Sequence, residues 1–178
     1  MHIINTKFSG LKIIQQKKFG DSRGSLRETF RKKIIKWDNL IFDYATLSKK
    51  NVLRGFHFNS KYPQAKYVTV LRGKILDYVI DLRKKSKTFG KSFSIVLLED
   101  NCKSLYIPEG FGHAYYSFAK LNLIYYKLSN YYKPRFESGI VWNDKHLKLK
   151  WPTNKPILAK RDTKWGTFID FKKIYKGF

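Results

Sequence analysis

Apolar and polar residues alternate with a period of two along much of this chain, and the 3.6-residue period of an amphipathic helix is nearly absent. The clearest stretch is residues 66–82, KYVTVLRGKILDYVIDL, two β-branched and aromatic runs hinged at Arg72-Gly73-Lys74. That composition is typical of strands. The same pattern predicts strands over 25–33 (SLRETFRKK), 40–47, 91–99, 103–108, 113–119 and 121–129. Turn-forming residues separate them at Gly20-Asp21, Gly73, Gly90, Glu99-Asp100-Asn101, Pro108 and Gly110. Short strands at this spacing predict an all-β sandwich or barrel. After Pro134 the periodicity weakens, which predicts loops and a short C-terminal helix near 167–176, TFIDFKKIYK. With neither an internal repeat nor a low-complexity linker, residues 1–178 read as a single domain.

Several positions break the apolar pattern with groups that can do chemistry. In NVLRGFHF, Arg54 and His57 have opposite strand parity and would face opposite sides. They can share a site only if the strand is bulged, and Gly55 between them is where a bulge is tolerated. Lys66 opens the longest strand pattern. In IPEGFGHAYY, a turn delivers His113 near the start of a strand. In LIYYKLS, alternation puts Ile124 and Tyr126 on one face and Tyr125 and Lys127 on the other. A late AKRD adds Asp162. Taken singly, each has a plain structural reading as packing, capping or a solvated surface group.

Composition narrows the partners. Hydrophobic content of 43% with 17% aromatics suits a packed globule. No apolar run reaches the roughly 18 residues of a membrane span, and MHIINTKFSG lacks a signal-peptide core, so a cytoplasmic protein is expected. One cysteine, Cys102, allows no internal disulfide. The net charge is +24, from 37 Lys and Arg against 13 Asp and Glu. The lysines are spread along the whole chain without a nucleic-acid module, so solvated faces are the expected reading, with a phosphate-bearing small ligand benefiting from the field.

The P-x-G-x-x-H turn at 108–113 resembles the second half-motif of cupins, small jelly-roll barrels. The first half-motif offers only His57 in His57-Phe58-Asn59, and two imidazoles without a carboxylate suit zinc or iron poorly, so no metal is expected. The ordered set FGDSRGSLRETF, NVLRGFHF, QAKYVTVLRGKILDYVIDLRKKSKTFGK, LYIPEGFGHAYYSF, YKLSNYYKP, GIVWNDKHLKLKWP and AKRD covers nearly the whole chain. It resembles the deoxysugar 3,5-epimerase family typified by dTDP-4-dehydrorhamnose 3,5-epimerase.

That resemblance implies a cupin-type jelly-roll homodimer that works without a cofactor on a nucleotide-diphosphate 4-keto-6-deoxy sugar. The C4 ketone acidifies the hydrogens on C3 and C5, so a base can form an enolate and a proton returned on the other face inverts the centre. The resemblance implies His57 as base, Asp162 as the partner that fixes its tautomer, Lys66 beside the C4 oxygen and Tyr126 as acid. His113 would place the sugar. Arg54 and Arg23 would meet the diphosphate, and Phe19, Glu28 and Tyr132 would surround the nucleobase. The segment with Phe19, Arg23 and Glu28 is expected to come from the partner subunit.

Some positions depart from the family. Tyr44, Thr46 and Leu47 stand where it usually has glutamine, asparagine and histidine, Asn59 replaces a glutamine, and Tyr115-Tyr116 replaces Gly-Phe. These changes are expected to line the sugar and nucleotide pockets, which makes a GDP-linked heptose of capsule synthesis a candidate substrate. Inversion at C3 alone or at both centres stays open. Two other functions fit the outline: a cupin 3,4-ketoisomerase, which would use a paired-histidine arrangement, and a non-catalytic basic cupin that binds sugar or nucleic acid.

Overall fold

The structure is a computed structural model that describes residues 1–36, 39–175 and 178. Its strands are β1 (His2–Asn5), β2 (Lys12–Gln15), β3 (Lys18–Asp21), β4 (Gly24–Arg27), β5 (Phe42–Lys49), β6 (Leu53–Asn59), β7 (Lys66–Arg72), β8 (Lys74–Asp81), β9 (Ser92–Leu98), β10 (Lys103–Ile107), β11 (Phe111–Ser117), β12 (Leu121–Leu128) and β13 (Glu137–Gly139). A 3-10 turn spans Pro134–Phe136, and one α-helix among the described residues, α1 (Phe168–Ile174), follows. Two antiparallel sheets face each other in jelly-roll fashion, ordered β1-β2-β10-β7-β12-β5 and β13-β6-β11-β8-β9. The hairpin β3-β4 forms a separate ribbon.

The core follows from strand parity. In β12, Asn122, Ile124, Tyr126 and Leu128 are buried while the residues between them are partly exposed, as the alternation predicts. Ile124 and Tyr126 meet Val68, Val70, Ile75, Val79 and Phe111 between the sheets. Tyr125 and Lys127 take the outer face, where the Tyr125 hydroxyl donates to Asp43 at 2.6 Å. β7 and β8 belong to different sheets, so the chain crosses from one to the other at Gly73, whose φ is +87° and where a Cβ would lie 2.5 Å from the Leu121 carbonyl oxygen.

β11 is buried along its whole length because both its faces are covered. Its inner face meets the core, and its outer neighbours Phe56, Phe58, Tyr78 and Ile80 are covered by Phe168 and Phe171 of α1. That helix begins with a capping box, in which Asp170 N–H donates to Thr167 Oγ1 while Thr167 N–H donates to the Asp170 carboxylate. The predicted C-terminal helix is thus present over 168–174; Lys176, at the end of the predicted span, lies outside the described residues.

Several elements differ from the sequence reading, among them β3, which runs through the predicted turn at Gly20-Asp21. The strand predicted over 25–33 stops at Arg27, because the Thr29 carbonyl accepts from Gln16 Nε2 and the Tyr67 hydroxyl instead of a neighbouring strand. Residues 137–139, predicted as loop, form β13 and pair with β6. The short strands β1 and β2 were not predicted: β1 is exposed throughout, and four residues give little alternation to read.

The bulge expected at Gly55 is present. His57 pairs with His113 and Arg54 with Tyr115, so two residues of β6, Gly55 and Phe56, oppose the single Ala114. Gly55 has φ +120°, and a Cβ there would lie 2.5 Å from both the His113 carbonyl oxygen and the Ala114 Cβ. Gly55→Ala is expected to cost about 3 kcal/mol through clash and strain and to lower Tm by about 10 °C. A calorimetric scan checks it, and an unchanged Tm would mean that the backbone can relax away from β11.

Candidate active site

The bulge brings Arg54 and His57 to one cavity of about 400 Å³ between the sheets. One wall carries His57 on β6 and His113 on β11; the other carries Lys66 on β7, Tyr126 on β12, and Tyr44 and Thr46 on β5. The C-terminal tail closes one side with Arg161 and Asp162, and β13 contributes Glu137.

Asp162 is nearly fully buried, and its Oδ1 lies 2.8 Å from His57 Nε2. Burial works to raise this carboxyl, but hydrogen bonds from His57, the Gly55 N–H and the Trp165 indole outweigh it and hold Asp162 below the usual carboxylate range. An ionised carboxylate can only accept, so His57 Nε2 carries the proton and Nδ1 keeps its lone pair. Nδ1 is therefore the basic nitrogen, 3.8 Å from Glu137 Oε1. Glu137 is itself held by the Arg161 guanidinium at 2.6 Å and the Tyr132 hydroxyl at 2.9 Å. His113 is fixed in the same manner, its Nε2 lying 2.9 and 3.0 Å from the two oxygens of the fully buried Asp77.

The opposite wall supplies unpaired polar groups. Lys66 Nζ has no hydrogen-bond or ion-pair partner among the described residues, and loss of hydration lowers its pKa to about 8 against the pull of Glu137 and Asp77. It stays charged at neutral pH. The Tyr126 hydroxyl is also without a partner; burial, then the neighbouring Tyr115, Tyr44 and Asp77, push it well above its ordinary value, so it is held as a protonated donor. An imidazole base facing a phenol acid and a cation can remove a proton from one face of a ring, stabilise the resulting oxyanion and protonate the other face.

His57, Lys66, Tyr126, Asp162, Arg54, His113 and Tyr132 thus meet in one cavity. Phe19 and Arg23 do not: they line a separate concavity on the hairpin, and Glu28 pairs with Arg31 beside it. Sequence reasoning missed Glu137, Arg161 and Asp77. Asp77 had a readable signal, a carboxylate at an inward position of an apolar strand, and Arg161 directly precedes Asp162. Of the departures from the family pattern, Tyr44, Thr46 and Tyr115 line the cavity. Leu47 and Tyr116 do not, contrary to expectation: Leu47 points to solvent and the Tyr116 hydroxyl donates to Asn51, while Asn59, whose Nδ2 donates to the Tyr62 carbonyl, lines an adjoining pocket that shares His57, Lys66, Tyr132 and Glu137 with the cavity.

A jelly roll with an acid–base cavity of this kind is a cupin-type enzyme that moves protons. The comparisons with known proteins are more specific. Residues 5–170 match the sequence profile of dTDP-4-dehydrorhamnose 3,5-epimerase, and the chain belongs to that family. The Shigella flexneri dTDP-4-dehydrorhamnose 3,5-epimerase is 35% identical over 176 residues, covering 96% of this chain and 97% of its own. The crystal structure of the Legionella pneumophila dTDP-6-deoxy-D-glucose-3,5-epimerase with dTDP-4-keto-L-rhamnose is 34% identical with a TM-score of 0.88, over 93% of this chain and 92% of that one. A 3'-monoepimerase from Streptomyces bikiniensis, solved with dTDP-quinovose, is 27% identical with a TM-score of 0.89, over 98% and 90%.

Arg54 is steadied by a chain of hydroxyls. Its Nε donates to Ser48 Oγ at 3.1 Å, and the Tyr115 hydroxyl lies 2.8 Å from Ser48 Oγ and 3.0 Å from Thr46 Oγ1. Removing one hydrogen bond of this kind costs about 1 kcal/mol. Tyr115→Phe is therefore expected to raise KM for an anionic ligand about fivefold at unchanged kcat, and steady-state kinetics check it.

Proposed function

We propose that this chain inverts C3 and C5 of a nucleoside-diphosphate-linked 4-keto-6-deoxy sugar through an enolate, supplying a deoxysugar for surface polysaccharide. The observation that carries this reading is the His57–Asp162 hydrogen bond of 2.8 Å on one wall of a cavity whose other wall holds the unpaired Lys66 and Tyr126. His57 Nδ1 removes the hydrogen next to the ketone, and Asp162 stabilises the imidazolium that forms. Lys66 meets the enolate oxygen as a cation. Tyr126, on the facing sheet, returns a proton to the opposite ring face. His113 orients the sugar, and Arg54 with Arg161 faces the diphosphate, where a planar guanidinium suits phosphate oxygens.

The nucleotide is read as dTDP, because the relatives with bound sugars carry it. A GDP-linked heptose is the second reading, favoured by Tyr44 and Tyr115, two departures from the family pattern that line the cavity. The enzyme is read as a cytoplasmic homodimer in which a second copy brings Phe19, Arg23 and Glu28 to the cavity of the first. In support, the hairpin that carries them exposes Phe19 and Leu26 to 60% and 67%.

In D2O with dTDP-4-keto-6-deoxyglucose, proton NMR is expected to show loss of both the H3 and H5 signals. His57→Ala should slow both by at least about 100-fold, and exchange that persists in it would remove His57 as the base. The working form of Lys66 is the ammonium, present below its pKa, so kcat/KM is expected to fall as pH rises through about 8. A profile flat to higher pH would take Lys66 out of the mechanism. Mixing Arg23→Ala with His57→Ala protein should restore about a quarter of wild-type activity if the hairpin crosses between subunits of a symmetric dimer, and none if it serves its own cavity.

A further inference from the structure

The acid wall of the cavity holds two phenols. Tyr44 and Tyr126 are directly opposite partners on the antiparallel strands β5 and β12, so their side chains leave the same face of the sheet. Their rings stack at 4.9 Å between centroids and 22° between planes. Neither hydroxyl has a hydrogen-bond partner among the described residues, although both rings line the cavity. Elsewhere in the cavity the phenols are committed, Tyr115 to Thr46 and Ser48 and Tyr132 to Glu137. Here two donors without protein partners among the described residues stand side by side, one on a buried ring and one on an exposed ring, facing the sheet that carries His57.

Inversion of two carbons that flank one carbonyl needs two protons delivered to one ring face at two neighbouring places. Resting on the function proposed above, we infer that Tyr44 is a second proton donor, serving one of the two carbons while Tyr126 serves the other. At each centre His57 takes the proton as the C–H bond breaks and its electron pair moves into the enolate. The phenol O–H then breaks as the new C–H forms, leaving a phenolate. The phenolate is reprotonated from solvent and the imidazolium releases its proton there, so nothing beyond water is consumed. Tyr126 is buried, at 3% exposure, while Tyr44 is 38% exposed, so the two donors sit at different depths and address different atoms of a bound ring. Lost hydration inside the cavity raises both phenols, which keeps them in the donating form between turnovers.

Tyr44→Phe keeps the stacked ring and removes only the hydroxyl. With dTDP-4-keto-6-deoxyglucose in D2O, the variant is expected to take up deuterium with retained configuration at one carbon, because His57 can return a deuteron to the face it came from. At the other carbon it should invert at the wild-type rate. Tyr126→Phe should show the mirror pattern, each variant losing inversion at its own carbon by at least about 100-fold. Tyr44→Leu, which also removes the ring, separates stacking from donation: it should reproduce the Tyr44→Phe pattern at that carbon. Inversion of both carbons at wild-type rates in Tyr44→Phe overturns the inference, as does equal loss at both or a wild-type enzyme that inverts only one. No exchange at either carbon in the wild type would instead defeat the functional reading, and this inference with it.

Discussion

The close approach of β6 to β11 at Gly55 governs the site. No side chain fits between that residue and the His113–Ala114 backbone, so the strand takes up one extra residue there and reverses its parity. Without the extra residue, Arg54 and His57 would lie on opposite faces of the sheet, one in the cavity and one under the tail. The same residue's N–H also reaches the Asp162 carboxylate at 3.4 Å. A single irregularity therefore aims the base, gathers the arginine and helps hold the carboxylate that fixes the tautomer.

The two sheets divide the chemistry. The two histidines on the five-stranded sheet come with carboxylates attached, His57 with Asp162 and His113 with Asp77. On the six-stranded sheet, Lys66, Tyr126 and Tyr44 are donors left without partners among the described residues. The separation has a physical reason. A base gains from a neighbouring negative charge that stabilises its protonated form, and an acid or cation must keep its hydrogens free for the substrate. Because the sheets pack face to face, a ring placed between them would meet His57 on one side and Lys66 and the phenols on the other.

Much of this was legible in the sequence because a half-buried strand writes its parity into residue types. β12 could be read residue by residue, and the misfit of Arg54 and His57 pointed to the bulge before any coordinates. The family motifs brought His57, Lys66, Tyr126 and Asp162 together as a set. Glu137 and Arg161 escaped because each acts through the other across 24 residues, in a tail whose pattern carries no period. β13 escaped for the same reason, since three residues ending in glycine have no alternation to show. Thr29 ended a predicted strand through a side-chain bond from Gln16, which strand propensity does not register.

The tail that carries Asp162 is held to the barrel by single-residue parallel bridges, Val52 with Ile157 and Ile140 with Gly166, and by the Phe168 N–H donating to Asp144. His57 and Asp162 are separated by 105 residues of chain. During synthesis the chain therefore makes Asp162, which fixes the His57 tautomer, only after β13, the last strand of either sheet. A chain cut short after β12 would contain most of the barrel and most of the cavity lining, yet its imidazole would have no fixed tautomer. The fixed tautomer thus comes only with the segment around Asp162, after the barrel that surrounds the imidazole.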